Sequence, residues 1–323
     1  MTRLNRTFCI APMMDRSDRH SRFFLRLFSK NILLYTEMIT AAAIIHGDRD
    51  YLLGFSEEEH PIAVQLGGSD PEQLYQVAKI CADYGYDEIN LNCGCPSDRV
   101  QLGSFGACLM ADPGLVRECV QALRAGSSLP VTVKHRTGID QQDDYQLFRE
   151  FVEIQVEAGA SALIVHARNA WLKGISAKQN RDIPPLKYEW VYRLKQEFID
   201  TEIIINGGIK TLDSAIEHLR RVDGVMLGRA PYQNPYLLHD IDRLIFGEPN
   251  STVKSRATLL QEIYPYIERH LAMDLPLGKM VRHLFGLFHG EPNARQWRRY
   301  LSENIFRKSA GMQTLYEAER LLG

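Results

Sequence analysis

The chain has 323 residues, 45% hydrophobic and 24% charged, the range of an ordinary globular protein with room for a large core and a smaller second domain. Its six cysteines follow a polar start without a signal-peptide apolar core, and no apolar run approaches the roughly 20 residues that cross a bilayer, so the expected setting is a reducing cytoplasm without structural disulfides. The net charge of −2 calls by itself for no nucleic-acid partner, but it is unevenly spread: residues 251–323 hold 11 Lys and Arg against 7 Asp and Glu, and residues 1–250 hold 27 against 33, so the tail suits an anion.

From Phe8 onward, short apolar runs alternate with longer segments of helical period. The runs are Phe8 to Met13, Leu33 to Met38, Ile62 to Leu66, Glu88 to Asn92, Val131 to His135, Ala162 to His166, Glu202 to Ile205 and Gly224 to Leu227. Pro71 to Tyr84 and Tyr145 to Ala158 carry apolar residues at helical spacing between them. Strand and helix in alternation imply a parallel sheet, and eight units fit an α/β fold of the closed (β/α)8 TIM barrel type. No G-x-G-x-x-G follows the first run, as a doubly wound dinucleotide fold would favour. Polar residues end nearly every run, where barrel enzymes keep their active sites. Two connections, Cys95 to Asp112 and Asn169 to Lys187, are long enough to cover substrate.

A helix from about Pro235 to Phe246 should close the eighth unit, and Gly247 to Ser251 reads as a linker. The predicted division is a catalytic barrel over 1–248 and a helical domain over 249–323. In the latter, helices are marked by Leu259 to Leu271, by Leu284, Leu287 and Phe288, by Trp297, Leu301 and Ile305, and by Leu315, Leu321 and Leu322.

Several constellations carry chemistry, each with a plainer alternative. Asn206-Gly207-Gly208 and Gly228-Arg229 end the last two strands, where phosphate-binding barrels present backbone N–H groups; tight βα turns would use the same glycines. Lys134 alternates with apolar neighbours and should point into the barrel mouth, where it needs an anionic partner such as a reduced flavin unless it snorkels from the rim. His166 and Gln65 end strands and could be functional or merely packed. Cys93 and Cys95 form a C-x-C with no companion pair, so no metal is expected. Gly94 and Pro96 place Cys95 on a mobile loop at the active face, where a thiol of ordinary pKa near 8.5 could protonate a carbanion-like centre. In the tail, Arg295, Arg298 and Arg299 surround Trp297, which suits a nucleic-acid backbone or equally a solvated face paired with Glu291 and Glu303.

Ala11-Pro12-Met13, Tyr35-Thr36-Glu37-Met38, Asn92 to Ser97, Lys134-His135-Arg136, His166-Ala167-Arg168, Asn206-Gly207-Gly208 and Gly228-Arg229 stand in the order of the motifs of the tRNA-dihydrouridine synthases. The chain resembles that family along essentially its whole length, and Asn180 to Leu186 and Arg295 to Asn304 resemble its A subfamily. The resemblance implies an FMN-dependent barrel, NADPH as reductant, a helical tRNA-binding domain, and reduction of uridines 20 and 20a of the D-loop. It further implies that Pro12, Met13, Met14, Gln65, Lys134, His166, Asn206, Gly207, Gly208, Gly228 and Arg229 hold FMN. By the same resemblance Asn92 touches the target uracil, and Lys178, Arg181, Arg295 and Arg298 contact tRNA. Hydride would pass from flavin N5 to uracil C6, with Cys95 protonating C5. Two positions depart from the family pattern: Cys93 replaces an apolar residue and Arg16 an aromatic one. The competing readings are a barrel flavoprotein that reduces a free pyrimidine and a non-catalytic RNA-binding module.

Overall fold

Each of the eight runs forms a strand: β1 (Phe8–Ile10), β2 (Leu33–Thr40), β3 (Ile62–Gly67), β4 (Glu88–Cys93), β5 (Val131–Arg136), β6 (Ala162–His166), β7 (Glu202–Asn206) and β8 (Gly224–Leu227). In the computed structural model, which describes residues 4–97 and 103–323, neighbouring strands pair in chain order, all parallel, and β8 pairs with β1 to close the barrel. Most of the strands read as apolar runs because both faces are buried. Alternate residues such as Ile89, Leu91, Val131 and Val133 pack under the outer helices, while Cys9, Ala11, Leu33, Tyr35, Ala63, Ala162, Ile164, Ile204 and Met226 form a separate cluster inside the ring.

The lower interior is polar. Arg6 donates from Nε to Glu88 at 2.6 Å and from Nη1 to Glu202 at 3.0 Å, and its burial is outweighed by the two carboxylates, which hold the guanidinium charged. A buried cation between two buried anions is tolerated only because every partner is matched. This triad plugs the N-terminal end of the barrel, opposite the rim that carries the loops.

Two of the outer helices follow the expected spacing closely: α1 (Pro71–Asp83) begins with Asp70 capping Glu72 and Gln73 and buries Leu74, Val77, Ala78 and Cys81, and α2 (Tyr145–Glu157) buries Phe148, Phe151 and Val152. After β8 the expected helix over Pro235 to Phe246 is broken into a 3-10 turn at Pro235–Leu238 and a short helix at Ile241–Leu244, preceded by Arg229–Gln233. Asn234 and Asp240, both in non-helical conformations, interrupt the ladder.

Beyond residue 255 the chain is helical: α3 (Arg256–Leu271), α4 (Leu277–Val281), α5 (Ala294–Asn304) and α6 (Met312–Arg320). The second of these starts earlier than the apolar residues Leu284, Leu287 and Phe288 suggest, and those residues follow it in a 3-10 turn and tight turns. The tail's core, with Trp297 fully buried at its centre, also takes in Phe23 and Phe24 from the barrel helix Arg19–Arg26. Phe23 stacks on Tyr266 at 3.9 Å, and Asp18 accepts from Arg282 at 2.5 Å and pairs with His283, so the helical unit is docked by packing and by charge. No helix among the described residues is long and apolar enough to cross a membrane.

Candidate active site

In β4, period-two alternation sends Glu88, Asn90 and Asn92 into the barrel and turns Ile89, Leu91 and Cys93 toward the helices. Cys93 therefore lies in the layer between sheet and helices with Cys119, where burial pushes its thiol well up; burial likewise holds Cys119 and Cys81 at about 12. Cys95 is different. It stands two residues past the strand, half-buried, with its Sγ 3.5 Å from Ser97 Oγ. Its loop is held at both ends of the peptide: Asn92 Oδ1 accepts from the backbone N–H groups of Gly94 and Cys95 at 3.1 and 3.0 Å, and Ala107 N–H donates to the Cys95 carbonyl. Residues 98–102 of the long connection lie outside the described residues.

Gln65, fully buried on β3, donates from Nε2 to Asn90 Oδ1 at 2.7 Å and accepts from Asn92 Nδ2 at 2.8 Å. Among the described residues, Gln65 Nε2 and Asn92 Nδ2 each make one donor bond, so each has a second N–H without a partner there. Lys134 points into the same mouth and donates to Asn206 Oδ1 at 3.1 Å, while Asn206 donates to the Met226 carbonyl. Burial, aided by the neighbouring Arg136 charge and opposed by Cys95, brings Lys134 down to about 7. His166 is kept neutral by burial and by Arg136, Lys134, Arg168 and Arg229 around it.

The glycine motif beside it leaves no room for a side chain. Gly207 and Gly208 have φ of +108° and +74°, and a Cβ on Gly207 would meet the His166 ring at 2.6 Å. Gly228 packs against Met13 and Ala11, bringing the turn after β1 to the end of β8; Pro12 and Met13 are half-buried there and Met14 is largely exposed.

The sequence shows Arg136 at the end of β5, in Lys134-His135-Arg136, without a role of its own. Its Nε donates to the Gly94 carbonyl at 3.0 Å, and its Nη1 donates to the carbonyls of Asn180 at 3.0 Å and Asn169 at 3.3 Å. One guanidinium thus ties the Cys95 loop to the connection after β6. Its place was readable, since it follows Thr132 and Lys134 on the inward face of β5. In the connection after β6, Arg181 is half-buried with Nε unpartnered among the described residues, and Lys178 is exposed. Arg229 pairs with Asp182 at 2.8 Å. Arg16 sets its guanidinium 5.1 Å from the centre of the Tyr232 ring, close enough to Arg181 to lower that group's proton affinity after burial and Arg229. Arg295 and Arg298 stand exposed on α5, and the neighbouring Arg299 pairs with Glu303, while Glu291 pairs with Arg256 instead.

A closed (β/α)8 barrel that gathers a thiol, side-chain amides and a cluster of cations at the C-terminal ends of its strands has the arrangement of a barrel enzyme. Residues 9–321 match the family described as Dihydrouridine synthase (Dus), and the chain belongs to that family of enzymes. It is 55% identical over 316 residues to a protein of Salmonella typhi, covering 98% of this chain and 95% of the relative. It is also 53% identical to proteins of Xanthomonas campestris pv. campestris, over 311 residues and 96% and 92% of the two chains, and of Shewanella oneidensis, over 312 residues and 97% and 92%. All three relatives carry the name tRNA-dihydrouridine(20/20a) synthase.

Proposed function

We propose that this chain reduces the uridines at positions 20 and 20a of the tRNA D-loop to 5,6-dihydrouridine, with FMN as cofactor and NADPH as reductant. Supporting the substrate are the name shared by the relatives and the near-complete alignment with them. The observation that carries the chemistry is the position of Cys95, on the rim of a mouth lined by Lys134, Arg136, His166 and Arg229.

The donor set fits a flavin phosphate and ring. Lys134 is buried beside a second cation, and a bound anion would relieve that cost. Gly207 brings bare backbone against the His166 ring and Gly208 against Leu186 and Tyr188, a close approach that no Cβ would allow. In this reading Pro12, Met13, Met14, Gln65, Lys134 and His166 would hold the flavin together with Asn206, Gly207, Gly208, Gly228 and Arg229, the last five near its phosphate. The bound flavin supplies the hydride for uracil C6.

The chain's own residues do the rest. Asn92 presents its second N–H to the uracil edge. Cys95 gives its thiol proton to C5 as charge builds there, and the thiolate left behind regains a proton from solvent. Arg136 fixes the loop that carries the thiol. Neutral His166 serves as a hydrogen-bonding group. The target base must leave its stack to reach the mouth, and Lys178, Arg181 and the helical unit over 249–323, through Arg295 and Arg298, hold the tRNA backbone while it does so. The purified protein should be yellow, bleach with NADPH and regain its colour on addition of tRNA lacking dihydrouridine. Recolouring with free uracil or dihydroorotate but not with tRNA would point to a free-pyrimidine reductase, and no bound flavin would leave only an RNA-binding module.

A further inference from the structure

Below Asn92, a line of hydrogen bonds crosses three strands to the floor of the barrel. Glu88 Oε2 accepts from Arg6 Nε at 2.6 Å; its Oε1 accepts from Tyr35 Oη at 2.7 Å and from Thr132 Oγ1 at 2.6 Å. Thr132 Oγ1 accepts from Asn90 Nδ2 at 2.9 Å, and Asn90 Oδ1 accepts from Gln65 Nε2 at 2.7 Å. Gln65 Oε1 then accepts from Asn92 Nδ2, and Asn92 Oδ1 accepts the Gly94 and Cys95 N–H groups. Gln65, Asn90 and Thr132 are direct register partners on β3, β4 and β5, and all three are fully buried.

We infer that Glu88, acting through Thr132 and Asn90, is a remote positioning residue that sets which way the Gln65 and Asn92 amides face and so fixes the Cys95 loop. The inference rests on the reading of Cys95 as the acid. A side-chain amide has a donor end and an acceptor end of nearly equal size and can face either way on shape alone. An ion-paired carboxylate cannot, since it only accepts. Glu88 therefore obliges the single Thr132 hydroxyl proton to point down, which leaves the threonine oxygen only as an acceptor toward Asn90. Asn90 must then turn its oxygen to Gln65, Gln65 its oxygen to Asn92, and Asn92 its oxygen to the loop. Reversing any one amide would set donor against donor, and at the top it would face the Asn92 NH2 against two backbone N–H groups. In a water-free barrel such a mismatch is not repaired by solvent. Asn92 and Gln65 consequently offer one defined N–H each to the mouth, and Cys95 is held by a chain whose anchor touches neither substrate nor cofactor.

Thr132→Val removes the hydroxyl with almost no change in shape, and Thr132→Ser keeps it. Three readouts apply: melting temperature, kcat and KM for undermodified tRNA, and the rate at which a haloacetamide alkylates Cys95 across pH, followed by mass spectrometry of the Cys95 peptide. The expected result for Thr132→Val is a folded, flavin-binding protein whose kcat falls about tenfold, the scale of one buried hydrogen-bond mismatch, with KM little changed. Its Cys95 should alkylate several-fold faster because the loop is less firmly held, and Thr132→Ser should restore both behaviours. Wild-type kcat and alkylation in Thr132→Val would overturn the inference. So would equal impairment in Thr132→Ser, or a kcat loss that merely follows the folded fraction. Alkylation needs no turnover, so it reads the positioning chain even if the proton donor proves to be another group.

Discussion

Lys134 is the residue whose electrostatics say most about the ligand. Its amine is brought down to about 7 by burial, with Arg136 adding to the effect. Because the folded value lies below the unfolded one, the protonated amine penalises the flavin-free fold fully below about pH 7. That penalty shrinks as pH rises toward the unfolded value near 10.4. Flavin-free Lys134→Met should accordingly melt above the wild type at neutral pH, with the gap closing toward pH 10. The anionic ring of a reduced flavin should recharge the amine, so binding of reduced FMN at pH 8 should take up about one proton, measured by anaerobic calorimetry in buffers of different ionisation heat. Lys134→Met should bind weakly and lose that uptake; identical uptake in both proteins would refute the role. The inward direction of Lys134 was legible because its neighbours alternate with it. The Gln65, Asn90 and Thr132 line was not, because each is an unremarkable polar residue in its own strand and only the register makes them neighbours.

At the scale of elements, two loops act as one. Arg136 reaches Gly94 on one side and Asn169 and Asn180 on the other, and Asn180 in turn bonds Trp171 through both ends of its amide. A lysine offers a point charge without the planar fork and cannot span the three carbonyls. Arg136→Lys should retain flavin, lose about tenfold or more in turnover of tRNA, and be cleaved faster by protease within residues 167–187. Unchanged cleavage and turnover would show the loops to be independently held. All eight strands could be read from sequence, most as the apolar runs of doubly buried parallel strands and β4 and β5 as polar residues alternating with apolar ones. The helix after β8 could not be read as broken: Asn234 and Asp240 leave helical geometry within a stretch whose spacing still looks helical.

For the whole molecule, the helical tail shares its core with the barrel helix that follows Met13 and Met14 by a few residues. Burial alone would raise the Asp18 carboxyl, but the His283 and Arg282 contacts and the Ser21 N–H outweigh it and hold it well below the usual range. That contribution to docking is present above the ordinary carboxylate value near 4 and fades as acid protonates the group. A tail fixed in this way carries Arg295 and Arg298 on a defined face. Arg298→Ala should weaken tRNA binding, reduce the salt slope by about one phosphate contact and leave flavin reduction by NADPH untouched. Unchanged affinity and slope would make that arginine a solvated surface residue. The basic tail was legible from charge balance; its dependence on Phe23 and Phe24 was not, because a core shared across more than two hundred residues leaves no local pattern.

The central claim, that Cys95 is the proton donor of a synthase acting on uridines 20 and 20a, is tested most directly by mapping dihydrouridine in undermodified tRNA after incubation with NADPH and either the wild type or Cys95→Ala. The account predicts dihydrouridine at those two positions with the wild type. It predicts a loss of about a hundredfold or more in Cys95→Ala, the scale of a removed general acid, with flavin still bound. Wild-type dihydrouridine levels and rate in Cys95→Ala, or modification confined to other positions, would contradict it.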